Sequence, residues 1–267
     1  MGLDCKYDFI VYFSVIGANP NGDPVRENKP RLDYKGYGEI SDVCIRRKIR
    51  NRFIDLGQDV FMYSDDRDSD GYLNFKERFN GELDISHIDD ISEISKLASE
   101  KWIDVRSFGQ VFDFIKGKKS VGVRGPVTMS MATSKEKVNL YLADNKKQDY
   151  RVQFGVYKFC GSIRPELAEK TGFNLDDIEI FKKALKTIFE NDVASVRPIG
   201  SMKVEKIYWF KHSNRIGNCS SAKIHNSIKL EIEKPELNSF NRYKIIENIP
   251  NEFYRKQNDD FVTFKGI

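Results

Sequence analysis

The run Tyr7–Gly17, YDFIVYFSVIG, places apolar side chains on both alternating sets of a strand. A strand with one wet face alternates apolar and polar residues, whereas a strand apolar on both sets has to be covered on both sides. No apolar stretch in the chain approaches the roughly 20 residues of a helical membrane span. The chain is therefore expected to build around a central strand with material packed on each face of its sheet. Directly after it, Asn19-Pro20-Asn21-Gly22-Asp23-Pro24 stacks three turn dipeptides, so a rigid loop is expected there.

With 267 residues, 40% hydrophobic and 31% charged, the chain can bury a substantial core. Intrinsic disorder and a disulfide-stapled miniprotein are both excluded on that ground. The start, Met1-Gly2-Leu3-Asp4-Cys5-Lys6, has no basic region leading into an apolar one, and Lys6 stands where myristoylation wants Ser or Thr. Four scattered cysteines never form a CxxC pair, and three histidines (His87, His212, His225) show no ligand spacing. Reduced thiols, a cytoplasmic location, no membrane partner, no structural zinc and no cofactor are the expectations.

Net charge is only +4, but its distribution is uneven. Val43–Ile54 holds five cations (Arg46, Arg47, Lys48, Arg50, Arg52) and no acid. Met62–Asp104 holds twelve acids against five bases, a net of −7. Val105–Ser130 returns to five bases against one acid, and Lys203–Lys234 has seven bases against three. A basic body carrying a solvated acidic insertion is the pattern of a polyanion-binding protein.

Ser41 is placed to cap a helix running to about Leu56, with Gly57 as its stop. Ile45, Ile49, Phe53 and Leu56 form its apolar stripe; Arg46, Arg47 and Arg50 lie on one flank, Lys48 and Arg52 on the other. The stripe should dock on the sheet and leave two basic rails in water. Residues 58–103 are expected to form an acidic helical insertion, with Ile85–Trp102 as a short helix of acidic character. Glycines in Asp104–Phe112 and Val121–Val127 suggest strands with bulges or close backbone approach. Residues 131–156, lysine-rich around Ala143-Asp144-Asn145, suggest a protruding hairpin. Asn174 should cap a second helix burying Ile178, Phe181, Leu185 and Ile188, and Lys203–Lys211 reads as a late strand. The order points to one α+β domain over residues 1–267 with a split βαβ, ferredoxin-like or RRM-like core.

Asp66, Asp68, Asp70, Gly71 and Glu77 match the spacing of an EF-hand calcium loop. No clear entering helix precedes them and no second motif pairs with them. A solvated acidic loop is the expectation, and no metal site is assigned.

The loop Asn19–Pro24, the segment Ser41–Asn51, the block Asp104–Phe112 (DVRSFGQVF), Arg124-Gly125-Pro126-Val127 and Phe210-Lys211-His212 occur in the order of a known family. On these residues the chain resembles the backbone subunit of type I CRISPR surveillance complexes (Cascade), in particular the type I-C form. The resemblance implies an RRM-like palm, a helical insertion and a thumb hairpin. It implies a non-catalytic subunit that assembles head to tail with copies of itself and with other Cascade subunits. It also implies that guide crRNA is held along its phosphate backbone and presented for pairing with target DNA in antiviral defence, the protein reading shape and base pairing reading sequence.

Sequence-independent RNA binding wants cations directed at phosphates, which the α-helical cations Arg46, Arg47, Lys48, Arg50 and Arg52 supply. Arg106 and Arg124 are the next candidates, with a salt bridge to the acidic insertion as the competing reading. Asn19, Asn21 and Arg31 could bond phosphate or ribose, or simply shape the turn. Phe108 and Gln110 could line the nucleotide track, although a core role suits Phe108 equally. The main rival is a type III-like subunit that cuts target RNA with Asp23 or Asp33. A guide-processing nuclease lacks a catalytic-looking histidine block, and a monomeric RRM module lacks an RNP1 match.

Overall fold

The computed structural model describes residues 2–67, 70–85, 87–88, 90–115, 120–145, 149–253 and 261–266. The chain opens with strand β1 (Tyr7–Ala18), the short pair β2 (Gly22–Asp23) and β3 (Lys29–Pro30), and β4 (Tyr37–Ile40). Four helices follow: α1 (Asp42–Asp55), α2 (Phe75–Glu82), α3 (Ile91–Lys101) and α4 (Ile103–Phe108). Next come β5 (Gln110–Phe112), β6 (Val121–Val123), β7 (Val127–Met129), β8 (Ala132–Lys137), β9 (Leu140–Asp144) and β10 (Asp149–Ile163). Helices α5 (Pro165–Thr171) and α6 (Leu175–Lys186) lead to β11 (Met202–Lys211). The chain closes with α7 (Ser221–His225), β12 (Ile228–Ile232), β13 (Tyr243–Glu247) and β14 (Phe261–Phe264).

One antiparallel sheet organises the molecule, in the order β14-β11-β1-β10-β8-β4, with β7 and β9 also pairing with β10. The doubly apolar run therefore sits where expected, at the centre. Tyr7 faces Ile163 of β10 on one side and Lys211 of β11 on the other. Its odd-numbered residues, Tyr7 to Val15, pack with Ile45, Ile49 and Phe53 of α1 and Phe181 and Leu185 of α6. Its even residues Ile10 and Tyr12 join Tyr208 and Phe210 under Ile224, Ile228, Leu230 and Tyr243 of the C-terminal unit. Two separate layers thus cover one strand, which is why both alternating sets carry apolar side chains.

Both helix caps read from sequence are formed. The Ser41 hydroxyl accepts from the Cys44 amide, and Gly57 adopts φ +75° just past the end of α1. Asn174 and Asp177 build a complete capping box on α6.

Three expectations need correction. The acidic segment has its own aromatic core of Phe61, Phe79, Trp102 and Phe112, and this core continues through Val105 and Ile115 to Val121, well past residue 103. Asp104–Phe108 is helix, not strand, because the Asp104 carboxylate is buried and accepts from the Phe61 and Met62 amides at 2.7 and 3.2 Å, drawing that turn inward. Lysine-bearing β8 is not part of a free hairpin: it pairs with β10 and β4 inside the sheet, and only β9 and the start of β10, residues 140–152, form a hairpin. Lys146 and Lys147 lie outside the described residues, as does Asp68 of the calcium-like spacing. Of the remaining loop acids, Asp70 pairs with Arg78 at 2.6 Å and Glu77 accepts from Leu73 and Asn74 at the start of α2. Among the described residues no cluster of potential metal ligands is found, and no helix is long and apolar enough to cross a membrane.

The start of β1 is tied to the C-terminal unit through Asp8. Its fully buried carboxylate meets His212 Nε2 at 2.7 Å, Lys6 Nζ at 3.2 Å, His225 Nε2 at 3.5 Å and the Ser162 hydroxyl. Burial alone would raise the Asp8 pKa, but the bonds from His212, His225 and Ser162 with Lys6 override it and hold the carboxyl well below its ordinary range. A depressed folded-state pKa contributes stability above the unfolded value, about 3.9, and loses it as pH falls toward the folded one. Urea midpoints of the native protein and Asp8→Asn should therefore differ at neutral pH and converge on acidification below about pH 4.

Candidate nucleic-acid interface

The cations of α1 divide by their angle from the docked stripe. Arg47 points away from the sheet and is exposed, its positive field reaching Asp66 of the neighbouring segment. Arg46, nearer the stripe, is half-buried and pairs with Asp42 one turn back at 3.0 Å. Arg50 donates to Asp104 at 2.8 Å, and its guanidinium lies 5.4 Å from the centre of the Phe108 ring. Arg52 donates to the Thr187 hydroxyl at 2.6 Å and pairs with Asp55 at 3.3 Å.

Lys48 overturns the picture of two wet rails. It is 2% exposed and pairs with Asp192, which Arg197 also contacts at 3.2 Å. Burial pushes its ammonium pKa down and Asp192 opposes the shift. The segment after α6 folds over that flank of α1, and a buried ammonium requires a carboxylate there. Lys48 is thus a structural ion in this fold and presents no charge to a ligand.

The block Asp104–Phe112 and the segment Arg124–Val127 are brought together by two glycines. A Cβ on Gly125 would lie 2.3 Å from the Ser107 carbonyl oxygen and 2.5 Å from the Gly109 nitrogen. Gly109, at φ +81°, would place its own Cβ 2.4 Å from the Val123 carbonyl oxygen. Only glycine lets these two backbones cross at that separation. The crossing leaves Arg124 exposed at the surface. Phe108 is partly buried, stacked on Phe53 with centroids 6.1 Å apart and edge-on to Phe181 at 6.3 Å, so its core role is realised. Gln110 bonds the Val111 carbonyl from the start of β5.

Arg106 is occupied, though not by the acidic insertion's carboxylates. Its guanidinium grips Asp177 of α6 at 2.8 Å, the same aspartate that closes the α6 capping box. In the turn-rich loop, Asn19 is buried and donates to the Asn28 carbonyl at 2.6 Å, while its Oδ1 has no partner among the described residues. The Asn21 side-chain oxygen accepts from the Ser41 amide at 2.9 Å, which fastens the loop to the start of α1. Arg31 is 3.8 Å from Asp23. Both amides therefore shape the turn, and Asn19 keeps one acceptor in reserve.

Asp23 and Asp33 have local duties. Asp23 accepts from the Val25 amide and Asp33 accepts from the amides of Lys35 and Tyr37, both at 2.8 Å. These are the turn-closing bonds of Asx motifs.

The contacts Asn21–Ser41 and Arg50–Phe108 tie the loop, α1 and the crossed backbones together. Arg47 on α1 and Arg124 at the crossing are exposed, as are Arg26 and Lys35 in and after the loop, while Arg46, Arg50 and Arg31 are partly available. The residues that sequence reasoning missed are the carboxylates Asp104, Asp177 and Asp192, which decide which cations stay free. The separations, 54 positions for Arg50–Asp104 and 144 for Lys48–Asp192, leave no local signal by which to find them.

Residues 5–248 match the family described as CRISPR-associated protein Cas7. A Cas7 protein of Haloferax volcanii is 22% identical over 228 residues, which cover 73% of this chain and 67% of the relative. Among solved structures, a chain of a CRISPR RNA-guided surveillance complex in a pre-nicking state is similar at a TM-score of 0.44 and 11% identity, covering 76% of this chain and 77% of that one. A chain from a second CRISPR RNA-guided surveillance complex gives 0.43 and 11%, with 76% and 75% covered. The family match spans nearly the whole described fold, including the loop, α1 and both glycine-bearing blocks, and the chain belongs to the CRISPR-associated Cas7 family.

Proposed function

We propose that this chain is the non-catalytic backbone subunit of a type I CRISPR surveillance complex (Cascade) of the I-C kind, working in the cytoplasm. It holds guide crRNA by its phosphates, assembles head to tail with further copies and other subunits, and leaves the guide free to pair with target DNA. The observation that carries the reading is that Arg47 of α1 and Arg124 at the Gly109–Gly125 crossing are both exposed, on segments tied together by the Arg50–Phe108 contact, within a chain of the Cas7 family. Cations without base-reading partners suit sequence-independent backbone binding. The sheet order β11-β1-β10-β8, with α1 and α6 on one face, supports the RRM-like palm. The β9–β10 hairpin is the thumb of that reading, and the aromatic-cored segment is its insertion. An RRM module stacking bases on the opposite face is disfavoured, because Tyr12, Tyr208 and Phe210 there are buried under the C-terminal unit.

Reversing both exposed cations, Arg47→Glu with Arg124→Glu, should weaken guide RNA binding about equally for unrelated sequences. Neutralising them to Gln should reduce the slope of log K against log salt by about 1.4, two single-strand phosphate contacts. Unchanged affinity and slope in a salt titration would remove these two cations from the RNA path. The same complexes, given divalent metal and complementary RNA, should leave that RNA intact. Cutting that disappears in Asp33→Ala would instead establish the type III-like activity.

A further inference from the structure

On the sheet face opposite α1 and α6, the C-terminal unit stops short of the edge, and a groove of about 560 Å³ remains between β8, β10 and β12. Among the described residues lining it are Lys135, Lys158 and Lys229 and no carboxylate. That is unusual in this protein, where the partly buried cations of α1 all meet an acid. Lys158 is half-buried, and its one described hydrogen bond goes to the His225 carbonyl. Burial depresses its pKa, the neighbouring Cys160 opposes that shift, and the charge of Lys135 adds a smaller push in the same direction as burial. Lys158 lies directly opposite Thr133 in the ladder, so Lys135 is its diagonal neighbour, roughly 7–8 Å away along the sheet. Like charges this close, with no carboxylate among the described lining residues, are a cost to the fold, and an anion between them would relieve it.

We propose that this groove is a second polyanion site, which takes the phosphodiester backbone of a single-stranded nucleic acid on the face opposite the α1 surface. Three features favour phosphates over the carboxylates of an acidic peptide. The cations are all lysines, point charges on flexible stems that suit phosphates of variable position, whereas carboxylate recognition favours the rigid fork of arginine. The Ser130 and Thr133 hydroxyls stand beside them as donors to oxyanion oxygens. The floor is apolar, from Leu230 and the buried Tyr12 ring, and Met131 at the rim is 42% exposed, a surface against which a sugar or base can rest. The site does not depend on the α1 surface, so a chain of this kind could hold two strands at once.

The test is lysine acetylation read by mass spectrometry on the full chain, with an oligothymidylate of about twenty nucleotides or a polyglutamate as probe. Saturating oligothymidylate should protect Lys135 and Lys229, in the native protein and in the Arg47→Glu/Arg124→Glu variant alike. In that variant background, Lys135→Gln with Lys229→Gln should lower the remaining salt slope by about 1.4. Unchanged reactivity of both lysines at saturation overturns the proposal, as does protection by polyglutamate alone, which would assign the groove to an acidic protein. Protection lost together with the α1-surface cations would also overturn it, since the groove would then be no independent site. A failure confined to Arg47 and Arg124, with the groove still protected, would count against the α1 reading only.

Discussion

Replacing Asp104 with Ala should destabilise the protein by about 3–5 kcal/mol, the range for removing one partner of a buried ion pair. The carboxylate is 1% exposed and accepts from Arg50 and from the amides of Phe61 and Met62. Its loss leaves a partly buried guanidinium and two amide donors without their acceptor, each a separate penalty. For a chain of this size the melting temperature should fall by roughly 6–20 °C in a thermal melt. Asp104→Asn should recover part of the loss, because its one side-chain oxygen keeps an acceptor for the Phe61 amide, while the charge and the second oxygen, used by Met62 and Arg50, are given up. A melting temperature within about 2 °C of the native value for Asp104→Ala would show that water replaces the carboxylate and that this joint is not structural.

Gly125→Ala should be the most damaging single methyl on the candidate interface. Its Cβ would meet the Ser107 carbonyl oxygen at 2.3 Å and the Phe108 carbonyl carbon at 2.5 Å. Backbone, unlike the end of a long side chain, cannot swing aside, so the two segments must separate. Overpacking of this kind costs about 1–3 kcal/mol and at times more. The displacement also carries Phe108 away from Arg50 and moves Arg124, so RNA affinity should fall along with stability. Gly122→Ala is the internal control: nothing lies within 4 Å of the Cβ it would add. Equal melting temperatures and affinities for the two variants would show that the close crossing is not needed for either property.

Much of the frame was legible because it rests on local rules. The doubly apolar run, the Ser41 and Asn174 caps, the stop at Gly57 and the apolar stripe of α6 each follow from a few neighbouring residues, and each is found where expected. The order of the glycine-bearing blocks also carried the family resemblance, and the Cas7 match bears it out at family level. Three things escaped local reading. The helix of Asp104–Phe108 needed the distant amides of Phe61 and Met62. The membership of β8 in the sheet needed its pairing with Tyr157 and Lys158. The reach of the insertion's core to Val121 needed aromatic contacts between segments far apart in the chain.

The candidate site divides along the same line. Helical period alone placed five cations on the two flanks of the α1 stripe, Arg46, Arg47 and Arg50 on one and Lys48 and Arg52 on the other, since a spacing of 100° per residue depends only on the order of residues. Which of those charges a ligand could meet was decided by carboxylates arriving from elsewhere in the fold. Asp192 takes Lys48 into the interior, Asp104 holds Arg50, and Asp177 removes Arg106. The lysines of the second groove come from β8, β10 and β12, which no sequence interval groups together. Composition and spacing determine how many cations exist and which way a helix turns them. Availability is a matter of desolvation and pairing, and those depend on which distant residues the chain brings within a few ångströms.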